Sequence, residues 1–391
     1  MPSRRALLAA LGTASATAGC LDRVRGTLGD DEQRIRTACD PPAATWSTGG
    51  GDSRRTGRTD AAPPPADADG VALPLGRRDS GRRRLAANLP VIADGTAFVP
   101  TSGTVVAVDL ETPGREPAWT HQLDDDMDAT PAMACGAVLA LGLNTLTALD
   151  PASGKRYWQA DVGGFEPAAV GVVADRVYVG GPSLTALDAR TGEERWTADG
   201  GDTVAVDGTG VYSTENSNGT GGVYAHAHDG TERWHRPLGK VVGSASVRDG
   251  TVYVVDEGGT VYALEAASGE TAWSRTLDGI EKVYTGPAVG EHEVVVPAGN
   301  GSRSAVLEAA TGEPRWTADT GIVTGRPVVG ADWVALGRTN EGVTLYGRRS
   351  GDERTTWTRD AYEFGTVAGL APLGDGFVVR GGTTSKLTLV R

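Results

Sequence analysis

Seven tryptophans recur at a nearly fixed interval along this 391-residue chain, and the interval limits the possible folds more than any other feature. They lie 38 to 43 residues apart, at Trp119, Trp158, Trp196, Trp234, Trp273, Trp316 and Trp357. A period near 40 residues, with turn residues in phase, is typical of a repeat architecture. We therefore expect one supersecondary unit to be copied along the chain, each copy burying its apolar face against the next.

Residues 241–277 show what one copy contains. Val252–Val255 and Val261–Leu264 are β-branched and aromatic runs, separated by the turn dipeptide Gly258-Gly259. A strand at Val241–Val247 precedes them, and a strand carrying Trp273 follows. Four short strands in about 40 residues match one blade of a β-propeller. Copies are predicted at 88–119, 129–158, 166–196, 202–234, 241–273, 282–316 and 322–357, with a truncated eighth at 366–390.

The local motif is Ala-x-Asp-x-x-x-Gly-x-x-x-Trp, which is complete at residues 148–158 and at residues 186–196. The glycine can supply a positive φ angle in a hairpin turn, and the aspartate can accept backbone N–H bonds. The tryptophan offers a large apolar face and one N–H donor. These residues are predicted to hold blades together and not to bind a ligand; besides the seven tryptophans they include Gly154, Gly192, Gly230, Gly269 and Gly312.

The motif resembles the tryptophan-docking repeat of pyrroloquinoline-quinone (PQQ) type propellers, over roughly residues 88–391. The resemblance implies an all-β, eight-bladed propeller of four-stranded antiparallel blades. It does not by itself select a function, because such repeats occur both in quinoprotein dehydrogenases and in assembly scaffolds such as BamB.

An eighth blade that stops one strand short predicts that the N-terminal side closes the ring, because an open blade would expose a bare sheet edge. Residues 71–77 are the favoured closing strand, with Pro74 at an edge or a bulge. The alternative is the segment around Trp46. If 71–77 closes the ring, deleting residues 66–80 should destabilise the protein, and deleting residues 21–40 should leave the fold intact.

The N-terminus resembles an export signal. Arg4-Arg5 fits a twin-arginine pattern, residues 6–19 are small and apolar, and Thr17–Cys20 resembles a lipobox. We therefore expect a signal at 1–19, lipid attachment at Cys20 and a flexible tether at 20–45. Residues 46–87 are expected to be a lead-in with the closing strand, before a propeller at 88–391; Trp46–Gly57 resembles the lead-in of haloarchaeal propeller proteins.

Composition argues against some partners. The formal net charge is −13, and only four lysines stand beside 33 arginines among the 37 basic residues. An acidic surface disfavours nucleic acid and direct attraction to anionic lipid, which leaves Cys20 as the membrane link. Together with the export signal, the composition resembles that of a halophilic, extracellular, membrane-anchored protein that is monomeric. The arginine run 82–84 is expected to be a solvated loop, with an anionic partner as the alternative.

Three features could carry chemistry, and each has a structural alternative. His226 and His228 could share one face of a strand and bind a transition metal. Asp124–Asp128 could meet calcium, although the run lacks the glycine and final glutamate of an EF-hand loop. Cys39 and Cys135 could pair in an exported protein, although a buried Cys135 beside a free Cys39 is favoured. We expect no metal site, no catalytic residue and no cofactor; a cofactor-binding set cannot be assigned.

The leading functional hypothesis is a lipid-anchored propeller that binds a protein or envelope component on one face, without catalysis. One alternative is a PQQ-dependent oxidoreductase with a degenerate site, which would need calcium ligands, a catalytic aspartate and often a vicinal disulfide. The chain has no adjacent cysteines. The other alternative is a ligand-sensing module that signals through a second chain.

Overall fold

The computed structural model describes most of the chain as strands joined by short turns, with no α-helix in the described part. Described are Ile35, Cys39 and residues 44–75, 89–126, 129–163, 169–217, 220–280, 282–300, 303–339, 341–358, 367–381 and 387–391. Within these ranges no helix is long and apolar enough to cross a membrane.

Strands β1 to β33 follow one another in chain order. The lead-in supplies β1 (Ala44–Trp46) and β2 (Gly70–Ala72). Blade 1 consists of β3 (Val91–Ala93), β4 (Thr96–Thr101), β5 (Thr104–Asp109) and β6 (Trp119–Gln122), and blade 2 of β7 (Ala132–Ala134), β8 (Ala137–Leu141), β9 (Thr145–Leu149) and β10 (Arg156–Asp161). Blade 3 consists of β11 (Ala169–Val173), β12 (Arg176–Gly180), β13 (Leu184–Asp188) and β14 (Glu194–Ala198), and blade 4 of β15 (Thr203–Val206), β16 (Val211–Ser217), β17 (Thr220–His226) and β18 (Glu232–Leu238). Blade 5 consists of β19 (Ser246–Arg248), β20 (Thr251–Val255), β21 (Thr260–Glu265) and β22 (Thr271–Thr276), and blade 6 of β23 (Ala288–Val289), β24 (Glu293–Val296), β25 (Arg303–Glu308) and β26 (Pro314–Asp319). Blade 7 consists of β27 (Val328–Val329), β28 (Trp333–Arg338), β29 (Gly342–Gly347) and β30 (Glu353–Thr358), and blade 8 contains β31 (Val367–Leu373), β32 (Gly376–Gly381) and β33 (Leu387–Val390).

These strands form eight antiparallel sheets, so the predicted eight-bladed propeller is confirmed. In each blade the first strand is innermost, and the second and third strands are almost wholly buried. The fourth strand alternates between exposed and partly buried residues, as in β14 and β22. This pattern follows from the sequence, because apolar runs fill the spaces between blades while the tryptophan strand forms the rim.

The ring closes through β2, which pairs antiparallel with β33 and completes blade 8. Val71 lies opposite Leu389, and the ladder extends to Leu73, whose N–H donates to the Leu387 carbonyl at 2.9 Å. The predicted closing strand is therefore confirmed for residues 71–73; residues 76–77 lie outside the described part of the chain.

Trp46, the alternative closing residue, has a different position. It lies in β1, opposite Ile92 of β3, and adds a fifth strand at the inner edge of blade 1. Its side chain is 1% exposed and packs in the core against the backbone of Gly51. The lead-in therefore contributes one strand near the axis and another at the rim.

Tryptophan docking joins successive blades. Each Trp Nε1 donates to a backbone carbonyl in the turn between the third and fourth strands of the next blade. The pairs are Trp119 to Pro151 (2.8 Å), Trp158 to Ala189 (3.1 Å), Trp196 to His228 (3.0 Å), Trp234 to Ala266 (3.1 Å), Trp273 to Ala309 (2.9 Å) and Trp316 to Arg348 (2.9 Å). The seventh, Trp357, donates to Pro65 of the lead-in at 3.3 Å, because the lead-in provides the rim of blade 8.

The motif glycines lie under these rings. Gly192 has φ +71°, and a Cβ atom there would come within 2.5 Å of Cε3 of Trp158. The same arrangement recurs at five other junctions, where the glycines are Gly154, Gly230, Gly269, Gly312 and Gly351. Glycine is needed at these positions for both the backbone angle and the close approach of the ring.

The flexible tether expected at 20–45 is wrong at its end, where residues 44 and 45 belong to β1, and at two earlier positions, Ile35 and Cys39. Ile35 is 4% exposed and packs against blades 2 and 3, in a cluster with Cys135 and Val172. Cys39 forms a disulfide with Cys135, 96 residues away, so the favoured free Cys39 is also wrong. Both residues belong to the folded body, because burial of Ile35 and the covalent link outweigh the polar composition around them. The predicted signal at 1–19, Cys20 and the arginine run 82–84 lie outside the described residues.

Candidate functional site

A loop of the lead-in, residues 47–60, runs round the inside of the ring, and we call it the lead-in loop. It accepts hydrogen bonds from the first strands of blades 2 to 7, taken in blade order. The donors are the backbone N–H groups of Met133, Val172, Val206, Val247, Val289 and Val329, at 2.7 to 3.2 Å. The acceptors on the loop are Ser47, Ser53, Arg54, Thr56 and Gly57. The loop thus satisfies backbone groups that would otherwise face an open channel.

Asp52 shapes the middle of this loop. Its two carboxylate oxygens accept hydrogen bonds from the backbone N–H and the hydroxyl of Thr56, at 3.0 and 2.9 Å. The turn places Arg55 at φ +59° and directs its side chain into the ring. Gly57 has φ +67°, and a Cβ atom there would lie 2.6 Å from the Pro327 carbonyl. A short Asx-type turn and glycine therefore let the loop fit the channel.

Two guanidinium groups meet near the axis of the ring. Arg55 is buried and donates to the carbonyls of Val204 and Val170, both at 3.1 Å. Arg326 donates to the Ser246 hydroxyl at 2.7 Å, to the Pro287 carbonyl at 2.6 Å and to the Arg55 carbonyl. Arg326 therefore connects the lead-in loop to blades 5, 6 and 7.

Burial lowers the pKa of Arg55 to about 10 and that of Arg326 to about 9. The charge of Arg55 contributes to the lower pKa of Arg326, and Asp52 acts in the opposite direction at both groups. Both groups remain cationic at neutral pH. The lead-in loop and these two cationic side chains therefore occupy the described part of the channel, and both guanidinium groups donate to carbonyl and hydroxyl oxygens, which are neutral.

An open crater of about 1020 Å³ lies on one face of the propeller, with the lead-in loop as its floor. Its wall consists of turns between the first and second strands of blades 2 to 5, at Ala134–Cys135, Val173–Ala174, Val206–Gly208 and Arg248, with Gly374 of blade 8. These turns are tight: Ala174, for example, has φ +50°. We call this side of the molecule the crater face.

Six charged side chains line the crater, and their formal charges cancel. They are Asp52, Arg54, Arg58, Asp60, Asp207 and Arg248. A neutral lining is unusual in a chain whose net charge is −13. This site could not be predicted from the sequence, because no pattern in residues 47–60 indicates that the loop lines the ring. The run Gly49-Gly50-Gly51-Asp52 is a turn signal that could have indicated a tight loop there.

The disulfide Cys39–Cys135 lies at the crater rim, and both cysteines line the cavity. Cys135 is itself in the turn between β7 and β8, with φ +46°. The bond fixes the segment that precedes the lead-in at the edge of the crater face. A sequence separation of 96 residues gave no sign of this contact, which depends on the closed ring.

The predicted histidine pair does not share a strand face. His226 ends β17 with 1% exposure beside the Trp196 ring, and its Nδ1 has no hydrogen-bond partner among the described atoms. His228 lies in the following turn, where its Nδ1 is 2.8 Å from the Tyr178 hydroxyl. Burial lowers the pKa of both imidazoles, so both are neutral at pH 7. His235 stacks on Tyr224 at 4.0 Å, and the three rings therefore serve separate packing contacts.

The acidic run 124–128 also divides among separate partners. Asp125 accepts hydrogen bonds from the Asn144 N–H at 2.7 Å and from the Thr145 hydroxyl at 3.0 Å. Asp124 lies 3.6 Å from Arg156, and Asp126 accepts from the Ser102 hydroxyl at 3.3 Å. Residues 127–128 lie outside the described part. Within the described ranges, no three His, Cys, Asp or Glu side chains converge where a metal ion could be held.

The fold and the docked tryptophans define an eight-bladed propeller of the PQQ-repeat class, and comparison with known proteins identifies the family. The chain matches the family described as outer membrane protein assembly factor BamB over residues 46–198 and 142–359. The match covers most of the chain, which therefore belongs to this family. A comparison with curated proteins gives no match.

Solved structures show the same fold at low sequence identity. BamB from Moraxella catarrhalis is 17% identical, with a TM-score of 0.62, covering 83% of this chain and 98% of BamB. Quinohemoprotein alcohol dehydrogenase from Comamonas testosteroni is 15% identical, with a TM-score of 0.64, covering 91% of this chain and 82% of the enzyme. A computationally designed protein, Ika8, reaches a TM-score of 0.66 at 14% identity. BamB, an alcohol dehydrogenase and a designed protein share the architecture, so the fold alone does not select a function.

A calcium ion held with a PQQ cofactor would need several converging oxygen ligands. Within the described ranges, no three His, Cys, Asp or Glu side chains converge to supply such a set. The lead-in loop also runs through the channel, held by hydrogen bonds to six blades.

Proposed function

We propose that this protein is a lipid-anchored, extracytoplasmic propeller that binds a protein or envelope component at its crater and acts as an assembly scaffold without a cofactor. One observation carries the proposal: the lead-in loop fills the channel and leaves an accessible cavity of about 1020 Å³ on one face. A cavity of this size is at the upper end of the range for ligand sites. The description of the family as an assembly factor supports the same function.

The disulfide suggests how the molecule is oriented. If Cys20 carries lipid, the first residue packed in the folded body is Ile35, fifteen positions later, and this stretch spans at most about 50 Å when fully extended. Ile35 packs with Cys135 of the crater wall. Cys39 is fixed at the crater rim. The tether then leaves the propeller from the crater face, and this face lies toward the membrane. The partner is accordingly a membrane protein or another component at the membrane surface.

Site-specific photo-crosslinking tests the proposal. A benzoylphenylalanine placed at Ala61, which lines the crater, should give a covalent adduct in cells and in native membranes. The matched control is Ala331, an exposed residue in a turn on the same face that does not line the crater. Adducts at Ala61 but not at Ala331, identified by mass spectrometry after purification in high salt, are the expected result. No adduct above background, or equal adducts at both positions, would contradict the proposal.

The anchor has its own test. Cys20→Ser should release the protein from membranes into the medium, and Arg4→Lys with Arg5→Lys should block export. Membrane association of the Cys20→Ser protein would show that the tether is held in another way. Normal export of the double lysine variant would refute the twin-arginine interpretation.

The second candidate is a PQQ-dependent oxidoreductase, favoured by the likeness to quinohemoprotein alcohol dehydrogenase. Calorimetric titration with PQQ and calcium separates the two functions. Sub-micromolar binding would support the enzyme, whereas no heat of binding is expected for the scaffold.

A further inference from the structure

We propose that the crater recognises a carboxylate-bearing peptide segment of its partner and that Arg54 is the principal contact. This inference rests on the proposed scaffold function and adds the chemistry of the partner. It is carried by the hydrogen bonds and ion pairs of the six charged residues that line the cavity.

The three carboxylates of the lining already have partners within the chain. Asp52 accepts two hydrogen bonds from Thr56. Asp207 accepts from the hydroxyl of Thr209 at 2.6 Å and from the N–H of Gly210 at 3.0 Å. Asp60 pairs with Arg58 at 2.9 Å. A basic ligand would therefore compete with intramolecular donors at every acid in the crater.

The three arginines of the lining differ in whether they already have an ion-pair partner. Arg58 is paired with Asp60, and Arg248 lies 3.2 Å from Asp249. The exposed side chain of Arg54 has no hydrogen-bond or ion-pair partner among the described residues, although its own carbonyl accepts from the Val247 N–H at 2.9 Å. Among the six charged side chains that line the crater, Arg54 is thus the one without a partner among the described residues, and its backbone is held in place by the hydrogen bond from Val247.

A guanidinium in this position suits a carboxylate. Its planar set of N–H donors can form two parallel hydrogen bonds to the two carboxylate oxygens. Because the lead-in loop is fixed by hydrogen bonds to six blades, binding costs little further ordering of the backbone. Arg58 and Arg248 line the same cavity, but their ion pairs with Asp60 and Asp249 leave Arg54 as the contact that the inference depends on.

The net charge of −13 works against an acidic partner at long range. At physiological salt, however, charges more than about 8 Å apart are largely screened, so contacts inside the crater decide which ligand stays bound. If long-range attraction dominated instead, the crater would prefer a basic segment. The two possibilities make opposite predictions for peptides of opposite charge.

The test is fluorescence anisotropy with the full chain and three labelled hexapeptides, of glutamate, glutamine or lysine, at 0.15 M salt. The glutamate peptide should bind most tightly. Arg54→Gln should weaken it about tenfold or more, since a hydrogen bond to a charged group contributes about 1.5–3 kcal/mol. Arg349→Gln removes the same charge from an exposed arginine outside the crater and should change affinity less than about twofold.

Arg54→Lys keeps the charge but loses the forked geometry, and it should give an intermediate affinity. Thermal melts check that the variants fold like the parent. Tighter binding of the lysine peptide, or equal affinity of the parent and Arg54→Gln, would overturn the inference. The photo-crosslink at Ala61 separates this failure from failure of the scaffold: an adduct without glutamate-peptide binding leaves the scaffold standing and removes only the carboxylate contact.

Discussion

Two kinds of blade junction differ in what the sequence supplies, apart from the junction of blades 7 and 8, where Trp357 donates to Pro65 of the lead-in. Six junctions in the described chain combine a tryptophan of one blade with a glycine and a carbonyl of the next. The junction between blade 8 and blade 1 has no tryptophan, because blade 8 takes its rim strand from the lead-in. At this junction Arg391 supplies a hydrogen bond to the next blade.

The hydrogen bond from Arg391 has the same kind of acceptor as the tryptophan hydrogen bonds of the other junctions. Arg391 Nη1 donates to the carbonyl of Leu110 at 3.2 Å. Leu110 follows Asp109, just as the acceptors Pro151 and Ala189 follow Asp150 and Asp188. An arginine thus reaches the equivalent carbonyl that accepts a tryptophan N–H elsewhere in the ring.

The glycine of this junction confirms the difference. Gly114 has φ +95°, like its counterparts, but a Cβ atom there would have no neighbour within 4 Å. The tryptophan junctions therefore combine apolar burial with a hydrogen bond, whereas the last junction uses hydrogen bonds and ion pairs. We expect the first kind to be insensitive to salt and the second to weaken with it.

The largest effect is expected when the closing strand is removed. Deletion of residues 66–72 would expose the backbone edge of β33 and remove the lead-in rim of blade 8. The loss of unfolding free energy should exceed the ~3–5 kcal/mol typical of a buried Trp→Ala change, and the protein should self-associate. Chemical denaturation and light scattering measure both effects.

The control for that deletion is removal of residues 21–34, which stops before Ile35 and Cys39. Stability should then stay unchanged. The deletion of 21–40 suggested by the sequence would remove the disulfide and is no longer expected to be neutral. A stable, monomeric protein without residues 66–72 would show that β2 does not close the ring.

The second largest effect compares two equivalent glycines. Gly192→Ala forces a left-handed backbone onto alanine and drives its Cβ into Trp158, and should cost about 2–4 kcal/mol. Gly114→Ala has the same backbone problem with open space around it, and should cost about 1 kcal/mol. Unfolding in guanidinium gives both values. Equal costs would mean that the indole ring of Trp158 can move away from a Cβ atom at residue 192 at little cost, and that the two junctions do not differ in packing.

Sequence reasoning found the ring but not the site, and the reason is physical. Tryptophan spacing, turn glycines and strand runs are local signals, so the blade count and the closing strand near Val71 could be predicted. The lead-in loop has no apolar period; its course is set by hydrogen bonds that it accepts from the backbone N–H groups of five valines and one methionine in six blades. Contacts such as Cys39–Cys135 and Arg54 in the crater arise only once the ring is closed.

A third, smaller effect concerns Arg391. Besides Leu110, it contacts Asp375 at 2.8 Å and Glu111 at 3.5 Å, and its side chain is 35% exposed. Arg391→Met should cost about 0.5–1.5 kcal/mol, because partly exposed ion pairs contribute little. The cost should shrink when unfolding is measured in 1 M salt. Arg349→Met, the exposed control, should cost less than about 0.5 kcal/mol; a salt-independent loss at Arg391 would contradict the polar nature of this junction.

The smallest effect distinguishes one tryptophan junction from the others. Trp196 donates to the carbonyl of His228 and lies beside His226, and burial lowers the pKa of both imidazoles. At acid pH the unfolded chain binds protons that these buried rings resist, so stability is full above the unfolded pKa of about 6.5 and falls as the pH drops below it. Unfolding free energies between pH 7.5 and 5.5 should therefore decline, and His226→Gln should flatten the decline. The same substitution at His292, whose side chain is 65% exposed and lies outside this junction, is the control. An unchanged slope in His226→Gln would place the pH sensitivity elsewhere in the ring and make this junction equivalent to the other five.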